Sequence, residues 1–165
     1  MRRLPHLAES VDSQGQRHSM IYAVIDTNVI VAAMLSKHTD SATVKVLNAI
    51  RDGLLMPVVA SVILAEYNEV LLRDKFRFLK EDVRQTIDAI VLNAVFLDPL
   101  HSDEMFTDET DRVFYEVALA GHESDTRLVT GNLKHYPASP IVVTPAQMVA
   151  IIEERVASST NGLSS

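Results

Sequence analysis

The chain has 165 residues, 47% hydrophobic and 22% charged, which suits one compact domain with a real core and leaves no room for a second. It has no cysteine, so disulfides and thiolate metal sites are excluded, in keeping with a reducing compartment. The formal charge of −7 excludes a protein that coats nucleic acid non-specifically, but not a nuclease whose acids gather round bound cations, because those cations invert the local sign.

Residues 1–19 mix Pro, Gly, Ser, Gln and His without a sustained period and are expected to be a disordered or artefactual extension. Met20, itself able to serve as an initiator, opens the folded unit, expected over residues 20–157. A strand over 21–25 ends at Asp26, and a helix is expected over 28–35. A helix over 41–52 leads to a strand over 55–60, and Ser61 is placed as the cap of a helix running to Leu72. Helix 80–93 and strand 95–98 follow, then helix 111–120, closed by Gly121. Strands over 127–130 and 141–143 precede a last helix over 145–156. The Ser-rich residues 158–165 read as a flexible tail. No apolar run approaches the roughly 20 residues needed to span a bilayer, and the start is not signal-like, so a soluble cytoplasmic protein is expected. Alternating strands and helices imply right-handed crossovers and a mainly parallel sheet covered on both faces. The expected fold class is therefore α/β, a three-layer α/β/α sandwich.

In an open parallel sheet, sites form outside the carboxyl ends of the strands. Asp26 stands at such an end, although alone it reads as a helix cap. Glu66 falls early in a largely buried helix, where an acid has a cost to explain. The field at a helix start offers one explanation. Asp108 and Asp111 are spaced like a reciprocal cap before the fifth helix, a role that suits Asp108 better. Thr130, Gly131 and Asn132 end an apolar strand and on their own read as a turn. Each local reading is structural. The joint pattern places acids and a carboxamide at one edge of one sheet.

This ordered set, Val24-Ile-Asp-Thr-Asn-Val-Ile, Glu66, Asp111 ahead of Ala118-Leu-Ala-Gly, and Leu128-Val-Thr-Gly-Asn, resembles the PIN-domain family of nucleases. The likeness runs over nearly the whole folded part, and its layout is closest to the toxin component of toxin-antitoxin pairs. It implies a Rossmann-like, PIN-like sandwich and a metal-dependent endoribonuclease with Asp26, Glu66 and Asp111 as catalytic, metal-binding carboxylates. Asn132 and Asp108 complete the implied ligand set. Asn132 departs from the commonest pattern, which has Asp there, and the missing charge weakens a second cation site. Thr27, Asn28 and Thr130 are expected behind the ligands or against phosphate.

Hard oxygen ligands suit Mg²⁺ or Mn²⁺, which activate water and neutralise charge on a phosphodiester under attack. The six histidines are scattered, so zinc is less favoured. The resemblance also implies an RNA substrate, 5′-phosphate and 3′-hydroxyl products, a homodimer and a cognate antitoxin. Arg73, Lys75, Arg77 and Lys80 form the densest basic stretch, able to steer phosphate or simply to solvate a helix end. A non-catalytic PIN-like scaffold binding RNA or protein is the alternative. A haloacid-dehalogenase-type phosphohydrolase wants Asp where Asn28 stands, and a small-molecule-binding module with a Rossmann-like sheet wants a glycine-rich phosphate loop that does not follow the first strand.

Overall fold

The computed structural model describes residues 9–11 and 17–161; residues 1–8, 12–16 and 162–165 of the expected extension and tail lie outside the described residues. Within the extension, β1 (Glu9–Val11) and β2 (Arg17–Ser19) pair antiparallel, with Glu9 opposite Ser19. Backbone pairing needs no hydrophobic period, and three-residue strands are too short to display one. That is why the sequence gives no sign of them.

The main sheet has five strands: β3 (Tyr22–Ile25), β4 (Met56–Val59), β5 (Val95–Phe96), β6 (Arg127–Val129) and β7 (Val142–Val143). Their order is β5-β4-β3-β6-β7, and every neighbouring pair is parallel. The Tyr-Ala-Val-Ile of β3 is buried at all four residues, the continuous apolar run expected of a central parallel strand.

Among the described residues six α-helices flank the sheet: α1 (Thr27–Leu35), α2 (Ala42–Arg51), α3 (Ser61–Leu71), α4 (Lys80–Leu92), α5 (Arg112–Ala120) and α6 (Pro145–Asn161). Helix α2 packs against α1 and α6 on one face, while α5 lies across β3, β4 and β6 on the other. The result is the three-layer α/β/α arrangement. Helix α3 touches both α1 and α5, and its Tyr67 explains the placement. The tyrosine is fully buried, donates its hydroxyl to the Ile25 carbonyl at 2.5 Å, and faces Phe114 of α5 with ring centres 6.4 Å apart.

Two local expectations are corrected. Ser61 is the first residue of α3, with Ala60 at the cap position making no side-chain bond, whereas Ser41 does cap α2 by accepting from the Val44 N–H. Helix α6 also continues through Ser158, Ser159, Thr160 and Asn161, past its expected end at Val156. Ser159 and Thr160 turn their hydroxyls back onto the carbonyls of Arg155 and Val156 at 3.0 and 2.9 Å. Hydroxyls that bond four residues back coexist with a helix, so a polar run need not end one. Among the described residues no helix is long and apolar enough to cross a membrane.

From β3 the chain builds outward to β4 and β5, then returns to place β6 on the other side of β3. The carboxyl ends of β3 and β6 thus adjoin at the reversal of strand order, the place where open α/β sheets leave a crevice.

Candidate active site

Asp26 follows β3 directly and is held there by the sheet, its own N–H donating to the Val129 carbonyl at 2.9 Å. It occupies the cap position of α1, yet its carboxylate makes no capping hydrogen bond. Instead Oδ2 accepts from Tyr136 Oη at 2.8 Å, Thr130 Oγ1 at 2.9 Å and Asn28 Nδ2 at 3.3 Å. Its strongest ties thus run across the fold to Tyr136 and Thr130, while the N–H groups of Asn28 and Thr27 at the start of α1 act on it more weakly. Burial pushes the Asp26 carboxyl above its ordinary range, and the Tyr136 and Thr130 donors oppose that rise.

The loop after β6 is tied to the same group. Asn28 Oδ1 accepts the Gly131 N–H at 3.0 Å, and Thr130 Oγ1 accepts the Asn132 N–H at 3.0 Å. Asp26, Asn28, Thr130 and Gly131 thus form one network that locks the two strand ends together.

Glu66 and Asp111 approach from α3 and from the start of α5. Glu66 is pushed up to about 7, chiefly by burial and then by the charges of Asp26 and Asp111. Asp111 is pushed up to about 6, again by burial first and then by Asp26 and Asp108. Three acids from separate elements therefore feel one another's charge. Glu66 Oε2 and Asp111 Oδ2 are buried and have no hydrogen-bond partner. Buried polar atoms are nearly always paired, so two unpaired carboxylate oxygens beside a third acid need a physical account. His135 Nδ1 lies 3.5 Å from Asp111 Oδ2, too long for a good hydrogen bond but close enough for charge to act when the imidazole is protonated.

The remaining expected residues divide. Asp108 Oδ1 is occupied by the Thr110 N–H at 2.9 Å and hydroxyl at 2.7 Å, so it caps the short 3-10 turn Glu109–Asp111. It acts on Glu66 and Asp111 only through its field. Asn132 is exposed, and among the described residues its carboxamide makes no hydrogen bond to the three acids. Thr27 is buried with its hydroxyl unpaired, close behind Asp26. A groove of about 440 Å³ opens beside Glu66, walled by Val62, Ala65 and Val113 and rimmed by Glu69 and Glu109.

Two contributors carry no signal in the sequence. Tyr136 is buried, and burial together with the charges of Asp26 and Asp111 holds its hydroxyl well above the usual tyrosine range, so it stays a proton donor. His135 is more than half exposed but reaches Asp111. Both follow Asn132 in a 3-10 turn and its cap, where no periodicity marks a site.

The family model described as PIN domain matches residues 22–134, the span that contains Asp26, Glu66, Asp108, Asp111 and Asn132. No curated protein matches the chain. Among solved structures, a chain in the crystal structure of VapBC2 from Rickettsia felis bound to a DNA fragment from their promoter is similar, with a TM-score of 0.48 and 20% identity. The match covers 76% of this chain and 97% of that one.

Proposed function

This chain belongs to the PIN-domain family, and we propose that it is a divalent-cation-dependent endoribonuclease, the toxin of a toxin-antitoxin pair, acting in the cytoplasm. The observation that carries the reading is a pair of buried oxygens without a hydrogen bond, Glu66 Oε2 and Asp111 Oδ2, the latter facing only His135 at 3.5 Å, both within the field of Asp26 at the sheet's switch point. A cation would supply the missing partner and relieve the mutual repulsion that raises these acids.

Among the described residues no three of the acidic and histidine side chains close on one point tightly enough to hold an ion by themselves. Mg²⁺ and Mn²⁺ complete their shells with water and substrate phosphate, so a cation would be shared between these acids and such ligands. Asp26, Glu66 and Asp111 would hold the ion, with Asn132 available from the rim and Asp108 contributing charge. When bound, such a cation lowers the pKa of water and neutralises charge developing on the phosphate.

The chain's own groups set the geometry. Thr130, Asn28 and Tyr136 fix Asp26, with Thr27 buried behind it, while the exposed Gly131–Asn132 edge is where a phosphate would approach. Water would add to phosphorus, the P–O3′ bond would break, and the water's proton would pass by way of solvent or an acid to the departing 3′-oxygen. The products carry a 5′-phosphate and a 3′-hydroxyl. Arg73, Lys75, Arg77 and Lys80, next to stacked Phe76 and Phe78 in the connection after α3, give an acidic protein a basic stretch able to attract RNA.

The test is cleavage of a mixed RNA pool with Mg²⁺ or Mn²⁺, against EDTA and against Asp26→Asn. Cleavage that survives both treatments sinks the cation-carboxylate reading. A homodimer and an antitoxin partner, both expected of the family's toxins, are checked by light scattering and by affinity capture of a tagged Asp26→Asn chain expressed in its native host.

A further inference from the structure

Asp26 Oδ2 accepts three donors, from Tyr136, Thr130 and Asn28. A carboxylate oxygen has two lone pairs, so Oδ2 is fully engaged; the Thr27 and Asn28 N–H groups also act on the carboxylate, and Oδ1, which accepts no side-chain donor among the described residues, is the oxygen that faces anything bound at the strand ends. Thr130 and Asn28 belong to the two strand-end segments. Tyr136 does not, and it lies beyond the span that matches the family.

The tyrosine is itself held from outside the network. Phe106 meets its ring edge-on, with centres 6.1 Å apart and planes at 84°. Phe106 also meets Tyr115 edge-on at 5.8 Å and carries the Arg112 guanidinium 4.8 Å above its centre. Arg112 donates to the carbonyls of Ser102 and Glu104 at 2.7 and 2.8 Å, which clamps the segment between β5 and α5 against the site. Edge-on aromatic pairs and cations over rings both carry directional preference, so the stack specifies where the hydroxyl points.

We propose that Tyr136 is a positioning residue that engages Oδ2 of Asp26 and so reserves Oδ1 for a divalent cation, with Phe106 and Arg112 as its buttress. The proposal rests on the cation reading above. In this role the hydroxyl touches neither substrate nor ion and acts only through Asp26. Without it Oδ2 is held by Thr130 at 2.9 Å and by the longer Asn28 contact at 3.3 Å, and the carboxylate loses its shortest donor and part of its fixed orientation. Hydrogen bonds of this kind to ligating groups typically set about 10 to 100-fold in metal affinity.

The experiment is titration of the metal-free protein with Mn²⁺, reading free Mn²⁺ by electron paramagnetic resonance. Tyr136→Phe keeps the ring and is expected to weaken Mn²⁺ binding about tenfold. Phe106→Leu leaves the hydroxyl but removes the edge-on contact, and it is expected to shift affinity in the same direction. Tyr115→Phe, on the same stack but not bonded to Asp26, should match the wild type. In an Asp26→Asn background, Tyr136→Phe should add no further loss, because the two changes break one contact. Unchanged affinity in both Tyr136→Phe and Phe106→Leu overturns the proposal, as does a full extra loss in the Asp26→Asn background. Wild-type protein that fails to bind Mn²⁺ would bring down the cation reading itself, and this proposal with it.

Discussion

The hydroxyl of Thr130 donates to Asp26 Oδ2 across 2.9 Å, and these residues, 104 positions apart, directly follow the adjoining strands β6 and β3. Thr130 is completely buried and accepts the Asn132 N–H in turn. Replacing it with Val removes a donor to a buried acid and strands a backbone donor together. Thr130→Val should therefore lower stability by about 1 to 3 kcal/mol at neutral pH, and Thr130→Ser should recover most of the loss. Urea unfolding in EDTA measures both, and a Val variant as stable as the wild type would show that the network contributes nothing to folding.

Metal-free stability should fall as pH rises. Glu66 titrates near 7 and Asp111 near 6 in the folded chain, above their ordinary values of 4.5 and 3.8. Between those limits the folded state keeps protons that the unfolded state has released, so each unit of rising pH favours unfolding. The loss begins near pH 4 and is complete above about 7. Melting temperatures in EDTA across this window check the sign, and a curve that rises from pH 5 to 7 would contradict it.

Asp111→Asn should invert its rank with conditions. In EDTA at pH 8 it removes one of the mutually repelling charges, so it should melt above the wild type. With Mn²⁺ in about 100-fold excess over its dissociation constant, the wild type should gain about 2.7 kcal/mol and overtake the variant. Thermal shift assays with and without Mn²⁺ read the crossing. Equal gains in the two proteins would argue that Asp111 is no ligand.

The basic connection between α3 and α4 gives a kinetic prediction. Arg73 is already paired with Glu69 at 3.0 Å, and Lys75 lies over the Phe76 ring at 5.0 Å. Arg77 and Lys80 are the freer charges to meet phosphate. Lys80→Ala should weaken RNA binding at low salt and reduce the slope of log affinity against log salt by about one, with kcat little changed. An unchanged slope would leave Lys80 as ordinary solvated surface.

Much of the fold is legible in the residues taken alone. The buried Tyr22-Ala-Val-Ile run and the helical patterns between the short strands express local periodicity, and each expected element of the main sheet and its helices is present. The order of the acids along the chain is legible too, because each sits just after or just inside such an element. Element ends are less so: α6 runs on through its serines, with the Ser159 and Thr160 hydroxyls bonded back within the helix, and Ala60 takes the cap position before Ser61.

What the residues alone left level, the tertiary structure tipped. Locally, Asp26 and Asp108 are both short acids ahead of a helical turn, and either can cap. In the fold Asp108 does cap, bonded to Thr110 two residues away, whereas Asp26 turns to Thr130 and Tyr136 from the far end of the chain. Tyr136 had no local mark because its partner is 110 positions distant and its orientation depends on Phe106 from a third segment. Periodicity reports which face of an element is buried. Whether a buried oxygen then finds a donor, as Asp26 Oδ2 does and Glu66 Oε2 does not, depends on contacts between elements that no single stretch of sequence contains.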